Sequence, residues 1–306
     1  MPVLINLACG QTFDPRWTNL DHCESDEEIR SHDLRKPLPF PDNHADAIYC
    51  SHFIEHLNIQ GSRFFLAECR RCLKPGGRLR IVVPDLERLT RDYLAIVDEL
   101  DKGNDRKIEY NWIQLELFDQ FTRNRPEGEM RPFLLNPQNH DNAFVRRRVG
   151  SSINNFSLTD YSTDFNASQI NRLPLWRIVK KFVVDSAFRT DFLMKVFFSR
   201  HYQSFLLYPS DSIVAEVLHM ITPRLSFKEL KEAEFRNSGE VHRQSFDRYN
   251  LKWILEEMGF VQVKQMDASQ SSIDNWADYA LDMARDGSVR KADSLYMEAT
   301  KSAKRE

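Results

Sequence analysis

The first hundred residues alternate between short apolar runs and segments with helical spacing. Four short segments are predicted to be strands: Val3 to Leu7, Thr18 to Leu20, Ile29 to Asp33, which has the weakest signal, and Ala45 to Cys50. Gly61 to Leu73 is predicted to be a helix stopped by Pro75-Gly76-Gly77, because its apolar side chains recur every three or four residues. Leu79 to Val83 is apolar except for Arg80, and this composition is typical of a strand buried on both faces. The alternation predicts an α/β domain with a mostly parallel sheet.

The pattern changes in the middle of the chain and then returns. Residues 87–240 are predicted to be a mostly helical insertion that covers the substrate. A helix and two strands are predicted after it: Tyr249 to Met258 with Gly259 as its cap, Phe260 to Met266 and Ser294 to Ala299. The expected core domain is therefore assembled from residues 1–86 and 241–306.

Composition narrows the class of protein without identifying a function. The chain has 306 residues, of which 42% are hydrophobic and 28% charged, with a formal net charge of -3. These values exclude a disordered chain, and five cysteines are too few for a disulfide scaffold. No apolar run reaches the roughly 18 residues of a membrane span, and the start lacks a signal-peptide pattern. We therefore expect a cytoplasmic protein.

Candidate ligand-binding residues follow the predicted strands. Ala8 and Gly10 follow the first strand, where small residues let a ligand approach the backbone. Asp21 ends the second strand and is able to accept both hydroxyls of a ribose. Asp33 and Leu34 end the third, offering a carboxylate to an amino group and an apolar face to a flat ring. In an open parallel sheet these strand ends converge on one site.

The ordered set of motifs resembles class I S-adenosylmethionine-dependent methyltransferases, and within them the type 11 group. The matching segments are Ile5 to Gly10, Trp17 to Asp21, His32 to Leu34, Pro37 to Asp42, Asp46 to Leu57 and Leu73 to Gly77. The resemblance implies a Rossmann-like doubly wound sheet and S-adenosyl-L-methionine as cofactor. It also implies contacts from Leu7, Ala8 and Gly10 to the methionine part, from Asp21 to the ribose, from Asp33 and Leu34 to the adenine, and from Ser51 and His52 to the transferable methyl.

Two departures from the family pattern are visible. Ala8 stands where the family's first loop usually has its first glycine, and Gln11 follows Gly10. The connection between the first two strands has only about ten residues, fewer than a helical parallel crossover needs. We therefore expect a version of the fold that is trimmed near the N-terminus and lacks the usual first helix.

Residues that could act on an acceptor follow the fourth strand. If Phe53 to Leu57 begins a helix, His52, Glu55 and His56 share one face. His52 or His56 could remove a hydroxyl proton near neutral pH. The spacing also looks like the E-x-x-E-H metal set of some O-methyltransferases, although the residues could equally serve only to hold the local structure. We predict a catalytic role for His52 and His56 without metal, with a metal site at His52, Glu55 and His56 as the alternative.

Later segments supply the remaining candidates. Gly239 to Arg243 and Phe246 to Tyr249 resemble a stretch of type 11 enzymes associated with bacterial surface-glycan synthesis, which implies that His242 contacts substrate or acts as base and that Arg243 binds an anionic group. Phe165 to Tyr208 holds seven Lys or Arg against two Asp, and ten aromatics, which suits contact with an anionic membrane or a lipid-linked substrate as well as a plain helical cap. Cys69 and Cys72 lie on a predicted apolar stripe and are expected to pack in the core.

Together these features predict a methyltransferase that acts on a hydroxyl of a sugar in a nucleotide-activated or lipid-linked glycan. The alternatives are a small aromatic or other metabolite as acceptor, and a non-catalytic cofactor-binding partner of a glycan-assembly enzyme. No nucleic-acid partner is expected, since the chain is slightly acidic and lacks a known binding module. A peripheral contact with the inner face of the membrane, through residues 165–208, remains part of the prediction.

Overall fold

The computed structural model describes residues 2–22, 26–150, 232–233, 235–236 and 238–303. The strands of the described residues are β1 (Leu4–Leu7), β2 (Thr18–Asp21), β3 (Ile29–Ser31), β4 (Ala45–Ser51), β5 (Leu73–Pro84), β6 (Phe260–Met266) and β7 (Ser294–Lys301). The helices are α1 (Ile59–Cys72), α2 (Leu86–Asp101), α3 (Lys107–Thr122), α4 (Met130–Leu134), α5 (Pro137–His140), α6 (Ala143–Val149), α7 (Arg248–Glu257) and α8 (Trp276–Tyr279). A 3-10 turn spans Ile54–His56.

The strands form one mixed sheet in the order β3-β2-β1-β4-β5-β7-β6. The first five strands pair in parallel, and β7 runs antiparallel to both β5 and β6. The strand order reverses between β1 and β4, so their carboxyl ends form the crevice where open α/β sheets bind ligands. The predicted Rossmann-like doubly wound sheet is confirmed.

The strand positions agree with the hydrophobic pattern, with one difference at β5. This strand begins at Leu73, directly after α1, so the Pro75-Gly76-Gly77 segment that stops the helix lies inside a strand. Leu73 pairs with Ala45 and Arg78 with Ala47, which leaves the residues between as a bulge. Pro and Gly suit a bulge because neither has to complete the regular ladder.

The first crossover is shortened as expected. Residues 8–17, which join β1 to β2, contain turns and no helix. Residues 32–44, which join β3 to β4, also contain no helix. This part of the sheet therefore has to be covered by other segments.

Helices cover one face of the sheet. Residues of α1 and α7 pack with the inward side chains of the strands in the main core, which includes Leu7, Leu34, Phe65, Leu66, Leu251 and Leu255. Cys69 and Cys72 are fully buried in this core, so their predicted packing role is confirmed. Gly259 follows α7 with φ of 79°, which confirms the predicted cap.

The opposite face is covered by the segment between β6 and β7, residues 267–293, called here the β6–β7 connection. Trp276 and Tyr279 of this segment pack on Tyr49, Val82 and Tyr296 of the sheet. Trp17 joins them, with its ring centroid 5.2 Å from that of Tyr279. The sequence analysis did not predict this cover, although its large apolar side chains, Ile273, Trp276, Tyr279 and Leu281, are more than a plain hairpin loop needs.

The described part of the predicted insertion is helical and comprises α2 to α6. By its contacts the chain divides into one compact unit of residues 1–159 and 238–306 and another of residues 160–237. The predicted domain bounds at 87 and 240 stay a prediction. Residues 165–208 lie outside the described residues, and so does their predicted membrane contact. Among the described helices, none has both the length and the apolar character needed to cross a bilayer.

Candidate active site

The loop after β1 is folded back against the end of β2. Ala8 and Gly10 both have left-handed backbones, with φ of 55° and 53°. The Gly10 amide donates a hydrogen bond of 2.8 Å to Asp21 Oδ2, and the His22 amide donates one of 2.7 Å to Asp21 Oδ1. The Asp21 carboxylate therefore holds the turn through both of its oxygens.

A cavity of about 390 Å³, called here the strand-end cavity, opens beside this turn. Its volume falls within the roughly 300–1,000 Å³ of small-molecule and cofactor sites. The residues that line it come from the β1 loop, from β4 and β5, and from the β6–β7 connection and β7: Ala8, Cys9, Gln11, Thr12, Tyr49, Ser51, Val82, Leu281, Asp282, Ala284, Arg290, Lys291 and Tyr296. It thus lies at the switch point that the strand order defines.

Lys291 is the buried cation of this cavity. Its ammonium lies 3.4 Å from Ser51 Oγ, at the end of β4. Burial lowers the pKa of Lys291, while Glu55, Asp293 and Asp282 act in the opposite direction. The sequence analysis did not identify Lys291, since a lysine between predicted strands carries no spacing signal.

The structure gives less direct support to the residues that were predicted to contact the adenine and the methionine part of the cofactor. Asp33 binds the Arg35 guanidinium, with Arg35 Nε 2.8 Å from Asp33 Oδ1, and this interaction lowers the pKa of Asp33. The Leu7 and Leu34 side chains are buried in the core. A cofactor contact from either leucine would therefore come mainly through the backbone.

His52 directly follows β4 and has a strained backbone conformation. Its φ of 54° is left-handed, which is uncommon for residues other than glycine and is frequent at functional sites. His52 Nε2 lies 2.8 Å from Ser294 Oγ, and Nδ1 lies 3.5 Å from Glu55 Oε1. Burial, with a contribution from Lys291, lowers the pKa of His52 well below its ordinary value. The imidazole is therefore neutral at pH 7 and held at both nitrogens.

Glu55 and His56 lie in the 3-10 turn and are joined by His242, a group called here the Glu55 cluster. One potential ligand atom from each residue lies within 4.8 Å of the other two. The His56 and His242 ring centroids are 4.7 Å apart and nearly perpendicular. The helix predicted to begin at Phe53 is only this short turn, so His52, Glu55 and His56 do not share a helical face.

Backbone hydrogen bonds bring His242 to this position. The His242 amide donates to the carbonyl of Gln120 in α3, at 2.9 Å. The amides of Arg243 and Gln244 donate to the carbonyl of Glu55, at 2.7 and 3.1 Å. The Arg243 side chain is exposed beside the cluster. Sequence spacing could not reveal this convergence, because the two segments are distant along the chain.

Burial controls the protonation of the Glu55 cluster. It raises the pKa of Glu55 to about 8. It lowers the pKa of His56 to about 4 and that of His242 to about 3, with Arg123 adding to both shifts. Both imidazoles are therefore neutral at pH 7. A second, smaller cavity of about 40 Å³, called here the inner cavity, is lined by Glu55 and His242 together with residues that include Asp85, Glu116, Gln120, Gln244 and Asp293.

Comparisons with known proteins agree with the sheet. A family model described as a methyltransferase domain matches residues 13–81. A search of curated proteins returned no match.

Three solved structures resemble parts of the chain. One is a chain from the Haloferax volcanii complex between the Trm112 methyltransferase activator and a methyltransferase. It has 18% sequence identity and a TM-score of 0.24, and the match covers 33% of this chain and 51% of that chain. The second is an S-adenosylmethionine-dependent methyltransferase from Archaeoglobus fulgidus with 12% sequence identity and a TM-score of 0.35. The match covers 98% of this chain and 86% of that chain. The third is an S-adenosylmethionine-dependent methyltransferase from Mesorhizobium loti with 18% sequence identity and a TM-score of 0.23. The match covers 29% of this chain and 48% of that chain.

The chain spans about half the length of the Haloferax and Mesorhizobium chains that it matches. The family match and the order of the strands carry more weight than these distant overall likenesses. The described residues have a Rossmann-like fold of the class I methyltransferase type, and the family match supports a methyltransferase domain over residues 13–81.

Proposed function

We propose that this protein transfers a methyl group from S-adenosylmethionine to a hydroxyl of a sugar in a nucleotide-activated or lipid-linked glycan. The observation that carries the proposal is the strand-end cavity, which lies at the sheet's switch point within a methyltransferase fold. Asp21 is proposed to accept the ribose hydroxyls from the end of β2, beside the β1 loop that lines this cavity. Its carboxylate already organises the β1 loop, so one residue both shapes the site and binds the cofactor.

Lys291 is proposed to bind the carboxylate of the cofactor's methionine part. The family's usual first helix is absent from residues 8–17, so helix-terminal amides cannot supply that contact. The Lys291 ammonium lines the same cavity as Ala8 and Gln11 of the β1 loop. A charge-assisted hydrogen bond from a buried ammonium is stronger than a neutral one. The β6–β7 connection therefore replaces a missing element of the cofactor site.

An acceptor hydroxyl, rather than a whole sugar ring, is supported by the inner cavity, because its volume of about 40 Å³ is that of roughly one water. Carboxylates and amides line it beside apolar side chains such as Leu86 and Phe246, and these polar groups accept hydrogen bonds from hydroxyls. The resemblance of residues 239–249 to glycan-associated enzymes points to the same acceptor class. His242 contributes to the lining, as the resemblance implied for substrate contact. Arg243, exposed next to it, is proposed to bind an anionic group of the acceptor, such as a phosphate.

The transfer is a displacement at the sulfonium methyl. The acceptor oxygen forms a bond to the methyl carbon, the carbon–sulfur bond breaks, and its electron pair stays on sulfur to give the thioether product. The hydroxyl proton passes to a base, for which neutral His52 is proposed because it follows Ser51 of the strand-end cavity. Positioning of the two reactants supplies much of the rate.

The first experiment is calorimetry with S-adenosylmethionine and S-adenosylhomocysteine. We expect the wild type to bind both and Asp21→Asn to lose at least about tenfold in affinity, since a hydrogen bond to a charged group contributes roughly 1.5–3 kcal/mol. Asparagine keeps the size of the side chain and can accept from one of the two amides, Gly10 or His22, that the Asp21 carboxylate binds. Asp98→Asn, on the exposed side of α2, is the matched control. Absence of binding by the wild type would contradict the methyltransferase proposal, and full affinity in Asp21→Asn would contradict the ribose contact.

The second experiment tests the acceptor. The protein is incubated with methyl-labelled S-adenosylmethionine and a panel of nucleoside-diphosphate hexoses and lipid-linked saccharides. We expect label in a sugar methyl ether. Cofactor binding without label in any saccharide, but with label in phenolic metabolites, would replace the glycan acceptor by an aromatic one.

A further inference from the structure

The Glu55 cluster gathers three metal-binding side chains in a buried place. Glu55 is 1% exposed and His242 is 8% exposed. Their potential ligand atoms and that of His56 lie within 4.8 Å of one another. Such a separation needs only small side-chain movements to reach the distances across a tetrahedral metal site, where each ligand lies about 2.0–2.3 Å from the ion.

Three polar atoms of this cluster make no hydrogen bond within the described residues, although Glu55 Oε1 lies 3.5 Å from His52 Nδ1. Both carboxylate oxygens of Glu55 and the Nδ1 atom of His56 are buried without a hydrogen bond. Buried polar atoms are normally paired, because an unpaired one costs free energy. A cation placed among the three residues would compensate all of these atoms at once.

The orientation of His56 also suits a metal ligand. Its hydrogen bond is made to the backbone of Val241, and because Nδ1 is unpaired the donor is Nε2. A ligating histidine commonly donates its other ring N–H to a backbone carbonyl, which fixes the tautomer and directs the lone pair to the ion. In this arrangement Nδ1 carries the lone pair on the side of the cluster.

His52 has a different position. Its Nε2 contacts Ser294, and the structure places His242 within ligand distance of both Glu55 and His56 instead. The charges around the cluster are mixed: Lys291 and Arg123 are positive, whereas Asp293 is negative.

We propose that Glu55, His56 and His242 bind one divalent transition-metal ion. Two imidazoles and one carboxylate favour zinc, cobalt or manganese over magnesium or calcium, which prefer oxygen ligands. Three protein ligands leave an open coordination position, as in catalytic zinc sites. Glu55 and His242 line the inner cavity, which has room for a water or an acceptor hydroxyl. The role of the ion rests on the proposed function. The ion would orient the acceptor hydroxyl and make it more acidic, and His52 would receive the proton.

The test is a titration of chelator-treated, full-length protein with Co²⁺ followed by absorption spectroscopy, and with Zn²⁺ by calorimetry. We expect one equivalent to bind, with the visible bands of four- or five-coordinate cobalt. Glu55→Gln and His242→Ala should each weaken binding by about 100-fold or more, since changes outside the ligand set already cost 10–100-fold. His44→Ala, at the opposite end of β4, and His52→Asn should bind as the wild type does.

Each outcome of this titration decides the assignment. Absence of stoichiometric binding, or equal binding in Glu55→Gln and His242→Ala, would overturn it, and loss of binding only in His52→Asn would move the site to the H-x-x-E-H set. S-adenosylhomocysteine affinity is measured on every variant as a test of folding. If His242→Ala no longer binds S-adenosylhomocysteine, the metal titration is repeated with His242→Gln. Wild-type metal affinity in His242→Gln would overturn the assignment. Failure of the metal site leaves cofactor binding intact, so it is distinguishable from failure of the proposed function.

Discussion

Lys291 shows how a single side chain can adapt a family site. It lines the strand-end cavity on the side where the β1 loop lacks a helix. Burial lowers the pKa of Lys291, and the nearby Glu55, Asp293 and Asp282 oppose that shift. A ligand carboxylate bound there would favour the charged ammonium, in a place that solvent screens poorly.

Lys291→Met should weaken binding of S-adenosylhomocysteine by about tenfold or more, because a charge-assisted hydrogen bond contributes roughly 1.5–3 kcal/mol. Methylthioadenosine lacks the amino-acid part, and its affinity should not change. Calorimetry with both ligands on wild type and variant gives the comparison. A parallel loss for the two ligands would show a general disturbance of the cavity and would contradict the carboxylate contact.

His52→Asn should lower the rate of methyl transfer by about 10²–10⁴-fold, the usual contribution of a positioned base. Asparagine is chosen because it tolerates the left-handed backbone found at this residue. Affinity for S-adenosylhomocysteine should stay within a factor of two or so of the wild type, since the change acts on the chemical step.

His44→Asn is the control for this comparison, because His44 precedes β4 at the other end of the strand. An unchanged rate in His52→Asn, with a large loss in His242→Ala alone, would transfer the role of base to His242.

Individual residues were predicted well where the chain keeps them close to a strand end. Asp21 and Gly10 meet through a direct hydrogen bond, as their positions after neighbouring parallel strands suggested. His242 joined Glu55 and His56 through backbone contacts to α3 and the 3-10 turn. No periodicity records such a contact, so the cluster became visible only in three dimensions.

Among the elements, the loop from β3 to β4 replaces a crossover helix with a set of hydrogen bonds. Arg71 on α1 binds the carboxylates of Glu68 and Asp42 and the carbonyls of Leu38 and Phe40. Glu68 in turn accepts from the Leu38 amide, at 2.8 Å. A proline-rich segment is thereby fixed against a helix without secondary structure of its own.

Glu68→Gln should reduce the pH dependence of stability at acid pH. The hydrogen bond from Arg71 holds the pKa of Glu68 below its ordinary value of 4.5. A carboxyl with a lowered pKa contributes stability that is present above about pH 4.5 and is lost as the pH falls through the folded-state value. Urea unfolding of wild type and variant between pH 7 and pH 3 should show a difference that shrinks with acidification.

Glu28→Gln, which changes an exposed side chain, is the control, and its unfolding profile should follow that of the wild type. A constant difference between Glu68→Gln and wild type across the pH range would mean that the charge of Glu68 contributes nothing to the fixed loop.

The positions of elements followed from hydrophobic spacing, whereas their partners did not. Short, mostly apolar runs identified β4 and β5, because a strand buried on both faces carries mainly apolar side chains. The cover supplied by Trp276 and Tyr279 was missed because aromatic residues between turns have no regular period. The start of β5 was missed because Pro75 and Gly77 are signals of a turn and of a bulge alike.

For the whole molecule, a buried cation joins the sheet to its cover. Arg80 of β5 is fully buried and binds Asp282, at 2.7 Å, and Glu298, at 2.8 Å. Its guanidinium also lies 4.6 Å from the Trp276 ring centroid. Asp282 further accepts a hydrogen bond from the Tyr49 hydroxyl. The interior charges are therefore paired across three separate parts of the chain.

Arg80→Met should lower the free energy of unfolding by about 3–5 kcal/mol, because it leaves buried carboxylates without a counter-charge. Arg91→Met removes an arginine whose side chain is 72% exposed and pairs with Glu87. That control should change stability by less than about 1 kcal/mol. Denaturant unfolding measures both, and an equally small effect in Arg80→Met would show that the protein relaxes or hydrates this interior site.

The pairing of Arg80 also bears on how the chain is made. Its two carboxylate partners follow it by 202 and 218 residues. During synthesis β5 therefore leaves the ribosome long before β7, which occupies its second edge in the finished sheet. An open strand edge with an unneutralised arginine cannot enter a dry interior, and such an edge is also prone to pair with other chains. Completion of the core thus waits for the last part of the polypeptide, and the nascent chain is expected to depend on chaperones in that interval.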